Sequence, residues 1–237
     1  RDVEIFPVLN TIFEKIYGES PYKSPTDMGV NMAGNCICDD EACREASKQE
    51  IIRRYFDALN ALAKGSTSEK EAQKIELLMN MAGITVTDRK VVIKALERAK
   101  ETDGPAAALE LRDGRIITGK TTNLLGASAA LLLNVLKVLA GIDHETHIIS
   151  PESIEPIQKL KVDYLKSKNP RLHTDEVLIA LSASAATNPQ ARLALSQLPE
   201  LAGCQAHTSV MLSDVDIKIF KKLEVQLTSE AVYEHAL

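Results

Sequence analysis

Tryptophan is absent, and aromatic residues make up only 4% of the chain, so aliphatic side chains must fill most of its interior. A basic excess is missing too: the formal charge is -5 and the pI near 5.6, which gives no general cationic surface for a polyanion and argues against nucleic acid as a partner. There is no disulfide framework. The four cysteines are Cys36, Cys38 and Cys43, crowded together, and Cys204, far away. Their C-x-C-x4-C spacing lacks the paired C-x2-C halves of a structural zinc site, so they read as reduced thiols of a cytoplasmic protein with no metal. No apolar run reaches the ~20 residues needed to cross a bilayer. The most apolar stretch, Leu124 to Ala140, is interrupted by Asn134 and Lys137 and reads as a buried core helix, with no membrane role. The chain opens on Arg1 without a basic-then-apolar leader, so its amino end reads as an excision point within a longer protein.

What is present is an ordinary globular composition, 45% hydrophobic and 26% charged, over 237 residues, enough for one large domain or two small ones. Pro7, then Val8, Leu9, Ile12, Phe13 and Ile16, then Gly18, predicts a helix that starts at the proline, stops before the glycine and buries one face. Pro21, Pro25, Gly29 and Gly34 punctuate an irregular stretch. Ile51, Ile52, Tyr55, Phe56, Leu59 and Leu62 mark a second helix that Gly65 ends. A third runs from Ser68 and Glu71, a capping box, to Gly83. A fourth follows Thr87 with Val92, Ala95, Leu96 and Ala99 on its apolar face.

After Asp103-Gly104-Pro105 the pattern changes. Ala106 to Leu111, Asp113-Gly114 and Arg115 to Thr118 predict two short strands joined by a turn. Strands are also expected at His147 to Ile149, His207 to Leu212 and Val225 to Thr228. Helices are expected after Ser150-Pro151, Thr174, Asn188-Pro189 and Ser213. The expected architecture is helix-rich α/β: a helical subdomain over 1–103, then an α/β subdomain over 104–237, a small mixed sheet covered by helices.

Gly114 to Thr121 satisfies the phosphate-loop expression G-x-x-x-x-G-K-[ST] letter for letter. A phosphate loop must curl its backbone N–H groups round the anion, which adjacent β-branched Ile116 and Ile117 resist. Asp113-Gly114 is a strong hairpin signal, and it claims the first glycine for a turn. A lesser role survives for Lys120 and Thr121: a lysine and a hydroxyl shortly before a helix start, where unpaired N–H groups attract anions.

Four hydrogen-bonding side chains, Ser24, Thr26, Asp27 and Asn31, lie in the stretch fixed by Pro25 and Gly29, as a pocket wall would have it; a local turn satisfied by Thr26 and Asp27 fits equally. Asn169 to Glu176 opens a helix with Thr174 as its expected cap, and the same residues offer Arg171 as an anion clamp and His173 as a general acid or base. His207 heads a strand and is a further ligand-binding candidate. His144-Glu145-Thr146-His147 is not the H-E-x-x-H of a zinc protease, and no nucleophile elbow is present.

Phe6-Pro7-Val8-Leu9-Asn10, Ser24 to Met32, Ala46 to Tyr55, Lys74 to Asn80, Thr118-Gly119-Lys120-Thr121, Asn169 to His173 and Ala206-His207 are the stretches on which the chain resembles the carboxy-terminal half of a bacterial family, domain of unknown function 1846. That resemblance runs end to end. It implies a longer protein whose preceding half carries its own glycine-rich, nucleotide-loop-like segment, and it implies no particular reaction or cofactor. The expectation is a cytoplasmic protein contributing to a site for a small phosphorylated or nucleotide-like ligand, with His173 and Asp27 in catalytic roles and Ser24, Thr26, Asn31, Lys120, Thr121, Arg171 and His207 binding. The alternative is a non-catalytic platform for a homo-oligomer.

Overall fold

A computed structural model describes residues 2–32 and 37–234, with Pro151 described by its backbone alone. Arg1, Gly34 and Cys36, used in the sequence argument, lie outside the described residues. The chain divides into two units, Arg1–Arg89 and Lys90–Leu237.

The first unit is helical: α1 (Asp2–Tyr17), α2 (Pro25–Met32), α3 (Asp40–Ala63), α4 (Glu69–Ala82) and a single 3-10 turn, Val86–Asp88. The periodic apolar residues of α3 turn inward, with Ile51, Ile52 and Phe56 all at 2% exposure or less. Gly83 ends α4 in the left-handed conformation, at φ 64°. Two expectations fail here. α1 starts at Asp2, so Pro7 lies inside the helix instead of opening it, and none of its described residues is buried. The proline- and glycine-punctuated stretch is also not wholly irregular. Pro25 sits at the first helical position, where its missing N–H costs nothing, and Ser24 Oγ accepts from Asp27 N at 3.1 Å, which together start α2. At Gly29 α2 approaches α1 closely, and a Cβ there would have to displace the exposed Asp2 side chain.

The second unit contains α5 (Lys90–Thr102), β1 (Ala106–Glu110), β2 (Ile116–Lys120), α6 (Ala127–Leu139), α7 (Pro151–Lys159), α8 (Thr174–Ser184), α9 (Pro189–Leu195), β3 (Gln205–Thr208), α10 (Asp214–Lys222) and β4 (Gln226–Ser229). The sheet order is β2-β1-β3-β4; β1 is antiparallel to both neighbours, and β3 runs parallel to β4. Alternation along β1 sends Ala108 to one face, against Val91 and Ala95 of α5. Ala107 and Leu109 point to the other face, into the large aliphatic core with Leu131, Leu132, Val135 and Leu136 of α6. Because α5 packs on β1, it falls in the second unit, fourteen residues ahead of the boundary expected at 103/104. The fold is thus helix-rich α/β, a helical part followed by a small mixed sheet flanked by helices. Among the described residues no helix is long and apolar enough to cross a membrane.

His147 to Ile149 forms no strand: Ile148 and Ile149 are buried by packing alone, at 3% and 5% exposure. The strand expected from His207 to Leu212 is instead β3, which ends at Thr208.

Candidate functional site

The phosphate-loop match resolves into a hairpin. Gly114 N donates to Leu111 O at 2.9 Å and Leu111 N to Arg115 O at 2.8 Å, with Gly114 at φ 83°, a three-residue loop closed by a left-handed glycine. Ile116 to Lys120 pair along β1. Gly119 meets a different demand. It lies directly under α6, where a Cβ would collide with the backbone of Ala130 and Leu131, so the glycine permits close helix-on-strand packing and no anion cradle. Lys120 is exposed at the strand end, and Thr121 N donates to Pro105 O at 2.8 Å.

From there the chain turns through Thr122, whose Oγ1 accepts from Leu124 N and Leu125 N at 3.2 and 3.0 Å. It then zips against the second predicted loop: Leu172 N donates to Leu124 O at 2.9 Å and Gly126 N to Leu172 O at 3.2 Å. This short parallel bridge, Leu125 with Leu172, places the segment after Lys120 beside Arg171 and His173 just ahead of α6 and α8. Buried Lys161, from a π-turn following α7 (Leu160–Tyr164), donates to Arg171 O at 2.6 Å and to Glu176 Oε2 at 2.8 Å. Glu176 in turn accepts from His173 N at 2.8 Å, so His173 caps α8, one residue earlier than the expected Thr174.

His173 Nδ1 lies 3.0 Å from Asp216 Oδ2, in the first turn of α10. Asp216 is nearly enclosed and also accepts from Thr174 N at 2.9 Å, Thr174 Oγ1 at 2.8 Å and Ser213 Oγ at 2.8 Å. Burial pushes this carboxyl up, but the donors of His173, Thr174 and Ser213 outweigh it and hold it at about 2. The hydrogen bond that His173 donates to Asp216 conversely raises the imidazole above its ordinary range, against partial burial. The ring is 32% exposed. A carboxylate that holds Nδ1 fixes the orientation of the imidazole, an arrangement that also serves to orient catalytic histidines. Ser213 Oγ is committed to Asp216 Oδ2, the same oxygen that His173 Nδ1 meets, so the serine steadies the pair.

Arg171 Nη1 pairs with Glu234 Oε1 at 2.6 Å, so the expected anion clamp already holds a carboxylate of its own chain. His207 is fully buried on β3, with Nδ1 2.9 Å from Thr228 Oγ1 and Nε2 3.3 Å from Glu230 Oε1. A buried ring between strand partners serves the sheet.

Ser24, Thr26, Asp27 and Asn31 belong to the first unit. Asp27, 2% exposed, accepts from Lys23 N at 2.6 Å and from the Asn31 amide. Thr26 Oγ1 meets Ser47 Oγ at 2.7 Å, tying α2 to α3. Ser24 lines a cleft of ≈ 800 Å³ with Val3, Phe6, Asn10, Ser47 and Ile51. These side chains cap and anchor α2, and both oxygens of the nearly buried Asp27 are engaged by Lys23 N and the Asn31 amide. Among the described residues no group of three or more His, Cys, Asp or Glu side chains is arranged to hold a metal.

Sequence reasoning missed Asp216, Lys161 and Glu234. Asp216 was visible only as part of a helix cap, three residues after Ser213, and its bond to His173 spans 43 residues of sequence.

These features define a helix-rich α/β protein whose second unit gathers a histidine–carboxylate pair where α8 and α10 begin. The sequence model described as "Domain of unknown function DUF1846, N-terminal" matches residues 1–83, and "Domain of unknown function DUF1846, C-terminal" matches residues 87–237; the chain belongs to the DUF1846 family. It is similar to a UPF0371 protein of Corynebacterium urealyticum, 58% identical over 98% of this chain and 47% of the relative. A UPF0371 protein of Corynebacterium glutamicum is 56% identical over 99% and 47%, and one of Streptococcus thermophilus 52% identical over 99% and 48%. The chain therefore spans about half the length of these relatives. The expected likeness to a carboxy-terminal half alone is amended, because residues 1–83 match the family's amino-terminal description.

Proposed function

We propose that the second unit contributes part of a site for a small phosphorylated or otherwise anionic, nucleotide-like ligand in a cytoplasmic protein. His173 is the proton-carrying group, and Lys120, Thr121 and, on exchanging Glu234 for the ligand, Arg171 are the ligand contacts. The observation that carries this reading is the His173–Asp216 pair: a carboxylate satisfied by four donors fixes one ring nitrogen while a third of the ring stays in solvent. Such an arrangement exceeds what helix capping requires, and groups with shifted proton affinity cluster at working sites. The Leu125–Leu172 bridge supports it by bringing the Lys120 and Arg171 segments together at the starts of α6 and α8, where anions are favoured. The remaining contacts would come from the length that the relatives have beyond this chain.

Thermal unfolding in the presence of pyrophosphate, ADP or chloride at matched ionic strength tests this, because a ligand bound to the native state raises its stability. Pyrophosphate or ADP should raise the midpoint at millimolar concentration, and His173→Ala and Arg171→Ala should each abolish the rise. Equal shifts with chloride, or shifts unchanged in both variants, would sink the assignment.

A further inference from the structure

We propose that residues 230–234 are a strap whose carboxylate, Glu234, holds the anion position at Arg171 until a ligand displaces it, so that the chain carries its own competitor. The inference rests on the anion site proposed above and adds how that site opens. Beyond β4 the chain continues beside the segment that follows β3. Its inner end is anchored by backbone and side chain: Glu230 N donates to Thr208 O at 2.9 Å, and Glu230 Oε1 lies 3.3 Å from His207 Nε2. Its middle is tied where Met211 N donates to Val232 O at 2.8 Å. Its outer end is the ion pair of Glu234 with Arg171, at 2.6 Å.

Three features set this outer end apart from an ordinary surface tie. First, the strap spans the two loops that hold the His173–Asp216 pair: Met211 stands two residues ahead of Ser213, the cap of α10, and Arg171 two residues ahead of His173, the cap of α8. Second, the arginine is held independently of the strap. Lys161 Nζ donates to Arg171 O at 2.6 Å, and Arg171 N donates to Asn169 Oδ1 at 3.0 Å. When Glu234 leaves, that backbone stays in place, and a freed guanidinium recruits another carboxylate or a phosphoryl oxygen. Third, the strap is fastened by polar contacts and not by burial: Val232 and Tyr233 are 50% and 58% exposed, so its release opens no part of the core. Segments held in this way lie at the low-stability end of a fold. A carboxylate already on Arg171 occupies its donors and repels an incoming anion, and a ligand's apparent affinity falls by the fraction of chains whose site is open.

Calorimetric titration of pyrophosphate into the 237-residue chain and into its Glu234→Ala variant is the test. The substitution, at an exposed position, should tighten binding about threefold with unchanged circular dichroism, the scale of a partly exposed ion pair that no longer has to be broken. In the unsubstituted chain, saturating pyrophosphate should also speed hydrogen exchange of the Met211 amide at least about tenfold, as Val232 O moves away from it. Binding that Glu234→Ala leaves equally tight overturns the strap while the anion site stands. So does a Met211 amide that keeps its protection in the complex. Absence of pyrophosphate binding to either chain overturns the anion site, and the strap with it.

Discussion

Asp216 concentrates the chemistry of the second unit at one carboxylate. Replacing it with Ala leaves Thr174 N–H, the Thr174 and Ser213 hydroxyls and His173 without their acceptor in a nearly closed space. Urea unfolding of Asp216→Ala should therefore show a loss of about 3 kcal/mol, the scale of several stranded buried donors. The pair also sets a pH window. His173 is raised above its ordinary 6.5, so its contribution to stability is complete below that value and is lost as pH rises through the folded value. Asp216 is lowered from 3.8 to about 2, so its contribution is complete above 3.8 and is lost as pH falls toward 2. Both contributions coexist between those limits. Asp216→Asn should bring the His173 titration, followed by NMR of the ring, down toward its ordinary value; an unmoved titration would show that another group sets it. The imidazole and the arginine beside it were legible in the sequence as residue types at a helix start. Their partners were not, since contacts spanning 43 and 63 residues leave no local pattern.

At the scale of elements, the two glycines of the phosphate-loop expression separate cleanly. Gly114→Ala meets no neighbour but must hold φ at 83°, which costs about 1 kcal/mol. Gly119→Ala drives a methyl group into the backbone of α6, which no rotamer change relieves, and should cost more than about 3 kcal/mol or prevent folding. Denaturant unfolding of both variants checks the ranking; a reversed order would contradict the hairpin and helix packing described. The turn was readable because Asp-Gly chemistry is local. Its partner glycine was not, because the need for it arises only when α6 crosses β2. α2 shows the converse: the sequence presents Pro25 as loop punctuation and Ser24 as a pocket-wall side chain, although a proline following a serine is also how a helix begins.

At the scale of the molecule, the large aliphatic core and the smaller α5 cluster both lie wholly within residues 90–237. A fragment of those residues is expected to unfold in one cooperative transition by circular dichroism, with a slope in urea appropriate to its size. A gradual, non-cooperative loss of signal would show that the unit does not stand alone. Such a fragment also carries His173, Asp216, Arg171 and Lys120, and so should keep the anion-dependent stabilisation proposed above.

The sequence by itself determined the class: helix-rich α/β, the helix starts at Ser150, Asn188 and Ser213, the hairpin after Leu111, and a net charge of -5. These follow from caps, periods and turns that neighbouring residues decide among themselves. Only the tertiary structure decided that α5 packs on the sheet, that Ile148 and Ile149 are buried without forming a strand, that His173 faces Asp216, and that no described residue of α1 is buried. Each depends on which distant surface an element meets, and hydrophobic burial, being non-directional, does not write that choice into any short stretch of chain.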